Sequence, residues 1–563
     1  MSSKLVQEAK RAVGVQVDRA ATLARVGLKT GLATTVRPAG IAVMAAPLLR
    51  GKSSPSVLMR FHAKNLPNKL ALRGSHRSYT FAELDAEIDR LVAELRARGA
   101  TKGTSAVLAM RNRPEFIVLQ LAMGRLGGAA VSVSWRSTPD ELTYLLDHSG
   151  ARFAFFDADL SDRFESAREK LRAQHQQRGS GVLFDGFTMG GSDARFDRYD
   201  DLVAKAPRSV SRASEHDASD EAAVVIYTSG TTGKPKGAVR KFPRDAITQG
   251  MRFIEQTPLR TEDIHLAVCP LYHSTAFGFA SLSLSLGSTI VVLDEFKPEA
   301  FLDAIDRYQV TTTAVVPTML HRVLELGTPA LRSRDLRSLR SIFAGGAPLP
   351  GPLATRTLDM LGPVLFNFYG ATETGLVTLA NPQDLAAEPT TIGKAVPGNE
   401  IRLLDDNGRE VKPGEVGELY VRNPLLVEGY HRDDKATDDS MREGFFTVGD
   451  LARVDSRGRY FIEGRKRDMI ISGGVNVYPA EVEGVLDTHP DISEAAVVGV
   501  ADQEWGEKVK AFVVLKTNAE PNPEGIRAYC RERLSGPKVP REIVFLDALP
   551  RNPTGKVLKR ELR

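Results

Sequence analysis

The chain has 563 residues, 42% hydrophobic and 26% charged, which is ordinary globular composition and enough for two or more domains. Its two cysteines, Cys269 and Cys530, lie far apart, which excludes a disulfide framework and a cysteine-based zinc site and fits a reducing, cytoplasmic compartment. Residues 1–52 hold nine basic and two acidic residues and so exceed the whole net charge of +5, leaving −2 on the remainder, which sets aside a nucleic-acid binder with a basic stripe on its folded body.

The first segment, residues 1–53, reads as a basic arm. Val13, Val17, Ala20, Ala24 and Leu28 recur at helical spacing, and Arg11, Asp18, Arg25 and Lys29 form a second stripe. The run from Ala39 to Leu49 is apolar but too short to span a bilayer, and it lies too far from Met1 for a secretion signal. Two readings stand side by side. The arm touches an anionic membrane surface, or it packs on its own domain or stays mobile.

From about Ser54 strands and helices alternate. The stretch from Tyr79 to Gly99 places Leu84, Ile88, Leu91 and Leu95 on one helical face, with Thr80 as N-cap and Glu83 three residues on. Short apolar runs at 105–110, 128–134, 153–158, 288–296, 311–320 and 341–349 predict buried strands of an α/β sheet protein. The polar, Gly-rich segment from Gln174 to Phe196 reads as a loop excursion.

The apolar run from Glu221 to Ile226 leads straight into YTSGTTGKPKG, Tyr227 to Gly237. Glycines let the backbone approach a ligand, consecutive N–H groups form an anion nest, and hydroxyls and lysines add donors and charge. That is a phosphate cradle. It is not a P-loop, because Pro235 follows Gly233–Lys234 where a hydroxyl is required, and Thr228 stands where the first Gly should be. No GxGxxG after a strand, HExxH or GxSxG is present.

Further motifs follow in order. They are PLYHS (270–274), GGAPL (345–349), FYGATETG (368–375), VGD (448–450), GRKRD within the run from Gly464 to Glu483, and PRNPTGK (550–556). FYGATETG offers an aromatic, a turn, hydroxyls and one carboxylate, Glu373, suited to magnesium. Beyond Gly464 the texture changes to a small α+β domain with strands near 494–502, 508–516 and 541–546.

In this order the motifs resemble the AMP-forming acyl-CoA synthetases of the adenylate-forming superfamily, over about residues 55–563. The resemblance implies an α/β fold, with a large multi-sheet N-terminal domain (54–464), a hinge at 465–468 and a small mobile α+β C-terminal domain (469–563). It implies activation of a carboxylate by ATP and Mg2+ to acyl-AMP, then transfer to coenzyme A. Thr228, Ser229, Gly230, Thr231, Thr232, Gly233 and Lys234 would cover the ATP phosphates. Gly345, Ala347, Pro348 and Tyr369 would line adenine. Thr372 would meet the α-phosphate, Glu373 would hold Mg2+, and Asp450 and Arg465 would bind ribose. Lys556 would bridge the carboxylate and the α-phosphate oxygen. Ser472, Gly473 and Gly474 would border the CoA tunnel, and His273 and Phe277 the acyl pocket. The chain departs from the common pattern at Ile471, where many relatives have Lys, and at Phe368, where many have Gly. Neither Ser274–Ala280 nor Ala314–Leu320 contains Arg or Lys, which favours an apolar monocarboxylic acid such as a medium- or long-chain fatty acid. The alternative is an acyl-AMP ligase serving a separate carrier protein.

Overall fold

The computed structural model describes residues 3–49, 55–179, 181, 183–205, 223–228, 236–241, 244–503, 505–551 and 557–563. The loop residues 229–235 and Lys556 therefore lie outside the described residues. The architecture is mixed α/β, with a large multi-sheet N-terminal part and a smaller C-terminal domain. Compactness divides the chain into two units. One comprises Met1–Ala314, Ala330–Ser341 and Asn423–Thr437; the other comprises Val315–Pro329, Ile342–Arg422 and Asp438–Arg563.

The first unit contains an eight-stranded sheet. Strands Ala223–Thr228, Ala129–Ser132, Ser105–Ala109, Phe153–Asp157 and Asp185–Met189 run parallel in that spatial order. Every residue of Phe153–Asp157 is buried, because helices cover both faces of a parallel sheet and no alternation survives. Phe156 stacks on Phe164 at 3.9 Å between centroids, and Phe155 on Phe187 at 4.9 Å. A second set of strands orders Thr312–Val315, Ile264–Ala267, Thr289–Val292, Leu70–Arg73 and Ser78–Thr80. The helix Phe81–Ala97 begins as its sequence dictates. Thr80 and Glu83 form a reciprocal capping box, and Leu84, Ile88, Leu91 and Leu95 are buried.

One expectation fails here. The segment from Gln174 to Phe196 is not a loop excursion. The helix Ser161–Arg178 runs into it, and Asp185–Met189 pairs in parallel with Phe153–Asp157. That helix buries only Ser161, Phe164, Ala167 and Leu171, so its surface reads as polar. The strand carries Gly186 because a Cβ there would meet the Phe196 ring at 2.4 Å.

In the second unit, Ser341–Ala344 pairs in parallel with Leu365–Ala371, which turns back antiparallel into Gly375–Ala380. A separate antiparallel sheet orders Glu400–Leu404, Gly417–Arg422, Phe445–Val454 and Met441–Arg442, with Tyr460–Arg465 beside Phe445–Val454. After the short 3-10 turn Lys466–Asp468 a five-stranded sheet follows, built from Ile470–Ser472, Val475–Val477, Ile492–Asp502, Gly506–Leu515 and Glu542–Phe545. It has its own core, including Ile470, Val482, Val497, Val509, Ile526 and Cys530. Both cysteines are buried and neither is in a disulfide.

Candidate active site

The hairpin of Leu365–Ala371 and Gly375–Ala380 pairs Ala371 with Gly375, so Thr372, Glu373 and Thr374 form its turn. The turn is tight. A Cβ on Gly370 would lie 1.9 Å from the Gly375 carbonyl oxygen, and the Ala371 N–H donates to Thr374 Oγ1 at 3.1 Å. Glu373 is only 7% exposed. A carboxylate so buried is costly unless cations or donors face it.

Tyr369, on the same hairpin, donates its hydroxyl to Asp450 Oδ2 at 2.7 Å. Arg465 Nε lies 3.1 Å from Asp450 Oδ1. Asp450 and Arg465 are direct partners across the antiparallel strands Phe445–Val454 and Tyr460–Arg465. Each carboxylate oxygen thus takes one protein donor and keeps acceptor capacity for another. Burial, then the Asp450 charge, pushes the Tyr369 phenol well above its ordinary range, and Glu373 adds to the shift. Tyr369, Glu373, Asp450 and Arg465, expected to share one site, are brought into one electrostatic neighbourhood.

Gly345 ends the strand Ser341–Ala344, and its N–H donates to the Val315 carbonyl at 3.2 Å. A Cβ on Gly345 would lie 2.5 Å from the Phe368 ring. Phe368 is buried, so the ring occupies the space a side chain at 345 would need. Gly346 has φ +76°, which turns the chain so that Ala347 is half-buried and Pro348 exposed.

The described roots of the phosphate loop are held by residues that no motif revealed. Tyr227 pairs with Gly237, and Thr228 with Lys236, across the hairpin. The Tyr227 hydroxyl lies 2.8 Å from His148 Nδ1, and the His431 N–H donates to the Gly237 carbonyl at 2.7 Å. His431 Nε2 lies 3.1 Å from the His148 carbonyl, and the two imidazoles meet edge-on at 5.2 Å. Tyr144 stacks on His148 at 5.1 Å. Lys236 sits over the Tyr430 ring at 5.1 Å and 3.8 Å from Asp433. Burial, then the neighbouring His431 and Arg432, lowers the His148 pKa; burial, then Arg432, lowers that of His431.

His273 is the N-cap of the helix Ser274–Leu286, and its ring lies 4.2 Å from that of Tyr272. Asn112 fixes the approach to this helix. It accepts from the Leu271 N–H at 2.8 Å and donates to the Cys269 carbonyl at 3.1 Å. Phe277 is half-buried, and a Cβ on the adjacent Gly278 would meet nothing within 4 Å.

In the C-terminal domain, Ile470–Ser472 and Val475–Val477 form a hairpin whose turn is Gly473–Gly474, at φ +58° and +77°. Two successive positive φ values make the glycine pair a requirement of the turn. Ser472 lies fully buried beneath it. The Gly473 N–H donates to the Trp505 carbonyl at 2.8 Å, and a Cβ on Gly473 would strike the Trp505 ring at 2.6 Å. Ile471 is exposed, and its N–H is held by Glu507 Oε2 at 2.8 Å.

Comparison with known proteins accords with this arrangement. A family model for an AMP-binding enzyme matches residues 59–431, and one for the AMP-binding enzyme C-terminal domain matches residues 481–556. An indoleacetate–CoA ligase of Aromatoleum aromaticum is 33% identical over 89% of this chain and 96% of its own length. A long-chain-fatty-acid–CoA ligase of Mycobacterium tuberculosis is 31% identical over 86% of this chain and 92% of its own. Among solved structures, o-succinylbenzoate CoA synthetase from Bacillus subtilis, in complex with its acyl-adenylate intermediate, superposes with a TM-score of 0.76 at 30% identity, covering 90% of this chain and 97% of that one. The chain belongs to the AMP-binding enzyme family, as an adenylate-forming ligase of the acyl-CoA synthetase type that uses ATP and CoA.

Proposed function

We propose that this ligase activates an apolar monocarboxylic acid, a medium- or long-chain fatty acid, to its acyl-AMP and transfers the acyl group to CoA. The observation that carries the acid class is the helix Ser274–Leu286. Its thirteen residues contain no charge, and its half-buried face presents Phe277 beside the open space at Gly278. A second carboxylate on the substrate would need a cationic partner there.

The roles of the chain's residues follow from charge. A carboxylate has no good leaving group, and joining it to AMP supplies one. Two anions must approach, so catalysis is largely positioning and charge stabilisation. Lys556 places its ammonium between the acid and the α-phosphate oxygen. Thr228 to Lys234 offer backbone and hydroxyl donors to the β- and γ-phosphates. Asp450, oriented by Tyr369 and Arg465, accepts from the ribose hydroxyls. Gly345, Ala347 and Pro348 line the adenine, and Thr372 donates to the α-phosphate. Glu373 would supply a carboxylate to Mg2+, which would neutralise phosphate charge. The glycine turn 473–474 lets pantetheine approach the backbone, and residues 465–468 serve as the hinge between the two half-reactions.

The test is pyrophosphate release with ATP, Mg2+ and a panel of fatty, aryl and dicarboxylic acids, with and without CoA, reading products by mass. Fatty acyl-CoA as the main product is the expected result. Turnover confined to aryl or dicarboxylic acids overturns the acid class. Acyl-AMP that never becomes a thioester transfers the second step to a carrier protein.

A further inference from the structure

The N-terminal arm helix is tied to its unit by a row of polar contacts along one flank. The helix Ser3–Thr30 lies against the helix Arg244–Glu255. Arg19 Nη2 meets Asp245 Oδ1 at 2.5 Å, Arg25 Nε meets Glu255 Oε1 at 2.6 Å, and Arg252 Nη2 meets Asp18 Oδ2 at 2.5 Å. Lys29 Nζ donates to the carbonyls of Glu255 and Thr257. Thr22, Val26 and Thr30 are buried on that side. Each exposed ion pair stabilises little, but together they fix the helix's rotation.

This rotation leaves an apolar stripe outside, flanked by the exposed Asp18, Arg25 and Lys29. Val17 is 63% exposed and Leu28 77%, with Ala20 and Ala24 exposed between them. Steps of three and four residues put all four on one stripe. Leu23, Val36 and Ile41 are exposed as well, so five of the eight large hydrophobic side chains exposed among the described residues fall between Val17 and Ile41 in the sequence. A lone exposed leucine is unremarkable; a clustered patch marks an interaction surface.

Charge identifies the occupant. Residues 1–52 carry +7 net, so the exposed apolar stripe belongs to a strongly cationic segment. A second copy docked arm to arm would set +7 against +7. An anionic bilayer satisfies both properties, taking the apolar side chains below the headgroups while the net positive charge of the segment draws the arm to the lipid surface. No described helix is long and apolar enough to cross a membrane, so the contact is made from one side. We infer that the arm helix lies on anionic lipid with Val17, Ala20, Ala24 and Leu28 turned into the interface, while its charged face stays bound to the helix Arg244–Glu255. This inference is independent of which acid the enzyme uses.

The experiment is co-sedimentation of the full chain with phosphatidylglycerol vesicles and with phosphatidylcholine vesicles, across a salt series. Salt-sensitive binding to phosphatidylglycerol and weak binding to phosphatidylcholine are expected. Val17→Glu/Leu28→Glu should lower the partition about tenfold or more, since two apolar burials are lost. Melting temperature and pyrophosphate release with a water-soluble acid should not change. If the double variant melts early, Leu28→Ser supplies the same readout with a milder change. The inference is overturned by no binding to phosphatidylglycerol, by equal binding to both lipids, or by unaltered partition of a folded variant. It is equally overturned if sedimentation velocity finds a dimer that these substitutions dissolve, since the stripe is then a self-interface.

Discussion

Tyr369 and Asp450, 81 residues apart, share a 2.7 Å hydrogen bond in which the phenol donates to the carboxylate. The bond ties the hairpin that carries Glu373 to the strand that faces Arg465. Tyr369→Phe keeps the ring and removes one charge-assisted bond, worth about 1.5–3 kcal/mol. The KM for ATP should rise about ten- to hundredfold while the KM for the acid holds. Asp450→Asn should cost at least as much, because Arg465 then faces no charge. Unchanged ATP affinity in both variants would remove Asp450 from the nucleotide site.

The clamp on the phosphate-loop roots makes a second prediction. Tyr227→Phe deletes the contact with His148 and leaves the ring packing. A neutral hydrogen bond contributes about 1 kcal/mol, so the KM for ATP should rise about fivefold. Thioester formation from supplied acyl-AMP should be unaffected, since no pyrophosphate is then handled. A change in fold alone would lower both half-reactions together, and steady-state kinetics on each separates the cases.

Lys556→Ala should abolish adenylation selectively. Removing the cation leaves the acid and the α-phosphate to repel each other where little water screens them. The expected loss is about a thousandfold in pyrophosphate release, as for other preorganised charge contacts. Thioester formation from acyl-AMP should persist. Equal loss in both steps from a folded variant would refute the assignment.

Acid stability has a definite sign. Burial pushes His62 and His265 down to about 4, with Lys69 adding to the shift at His62. Both are neutral in the folded chain, whereas the unfolded chain binds protons below about pH 6.5. Their contribution to stability is therefore full above that value and falls as pH drops from about 6.5 toward 4, by up to about 3 kcal/mol per histidine, while Asp487, pushed up to about 7 by burial, acts in the opposite sense. His265→Phe should flatten the fall in melting temperature over this window, and an unaltered slope would show that carboxylates dominate it.

Much of the fold was legible because local signals were unambiguous. The Thr80–Glu83 capping box and the wholly buried Phe153–Asp157 read directly from spacing and composition. The strand Asp185–Met189 escaped because its glycine makes room for Phe196, a tertiary need that looks like a loop residue in sequence. The motifs located Tyr369, Glu373, Asp450 and Arg465, each in a short distinctive run. His148 and His431 carry no such signature. They meet across 283 residues, and only the folded sheet brings them to the loop roots. The arm's spacing announced a helix with two stripes. Which stripe faces out depends on Asp245 and Glu255, on a helix more than two hundred residues away.

The Phe368 ring against Gly345 bears on engineering. In this chain the two positions are coupled, through the ring and through the Phe368 backbone. Phe368→Gly would empty a phenyl-sized space, at a cost of about 3–5 kcal/mol if nothing refills it. Placing alanine at 345 would require both the ring and the backbone of Phe368 to move, since the added Cβ would also lie 2.7 Å from the Phe368 carbonyl oxygen. A designer reshaping this part of the molecule should therefore keep glycine at 345 and vary the bulk at 368 alone.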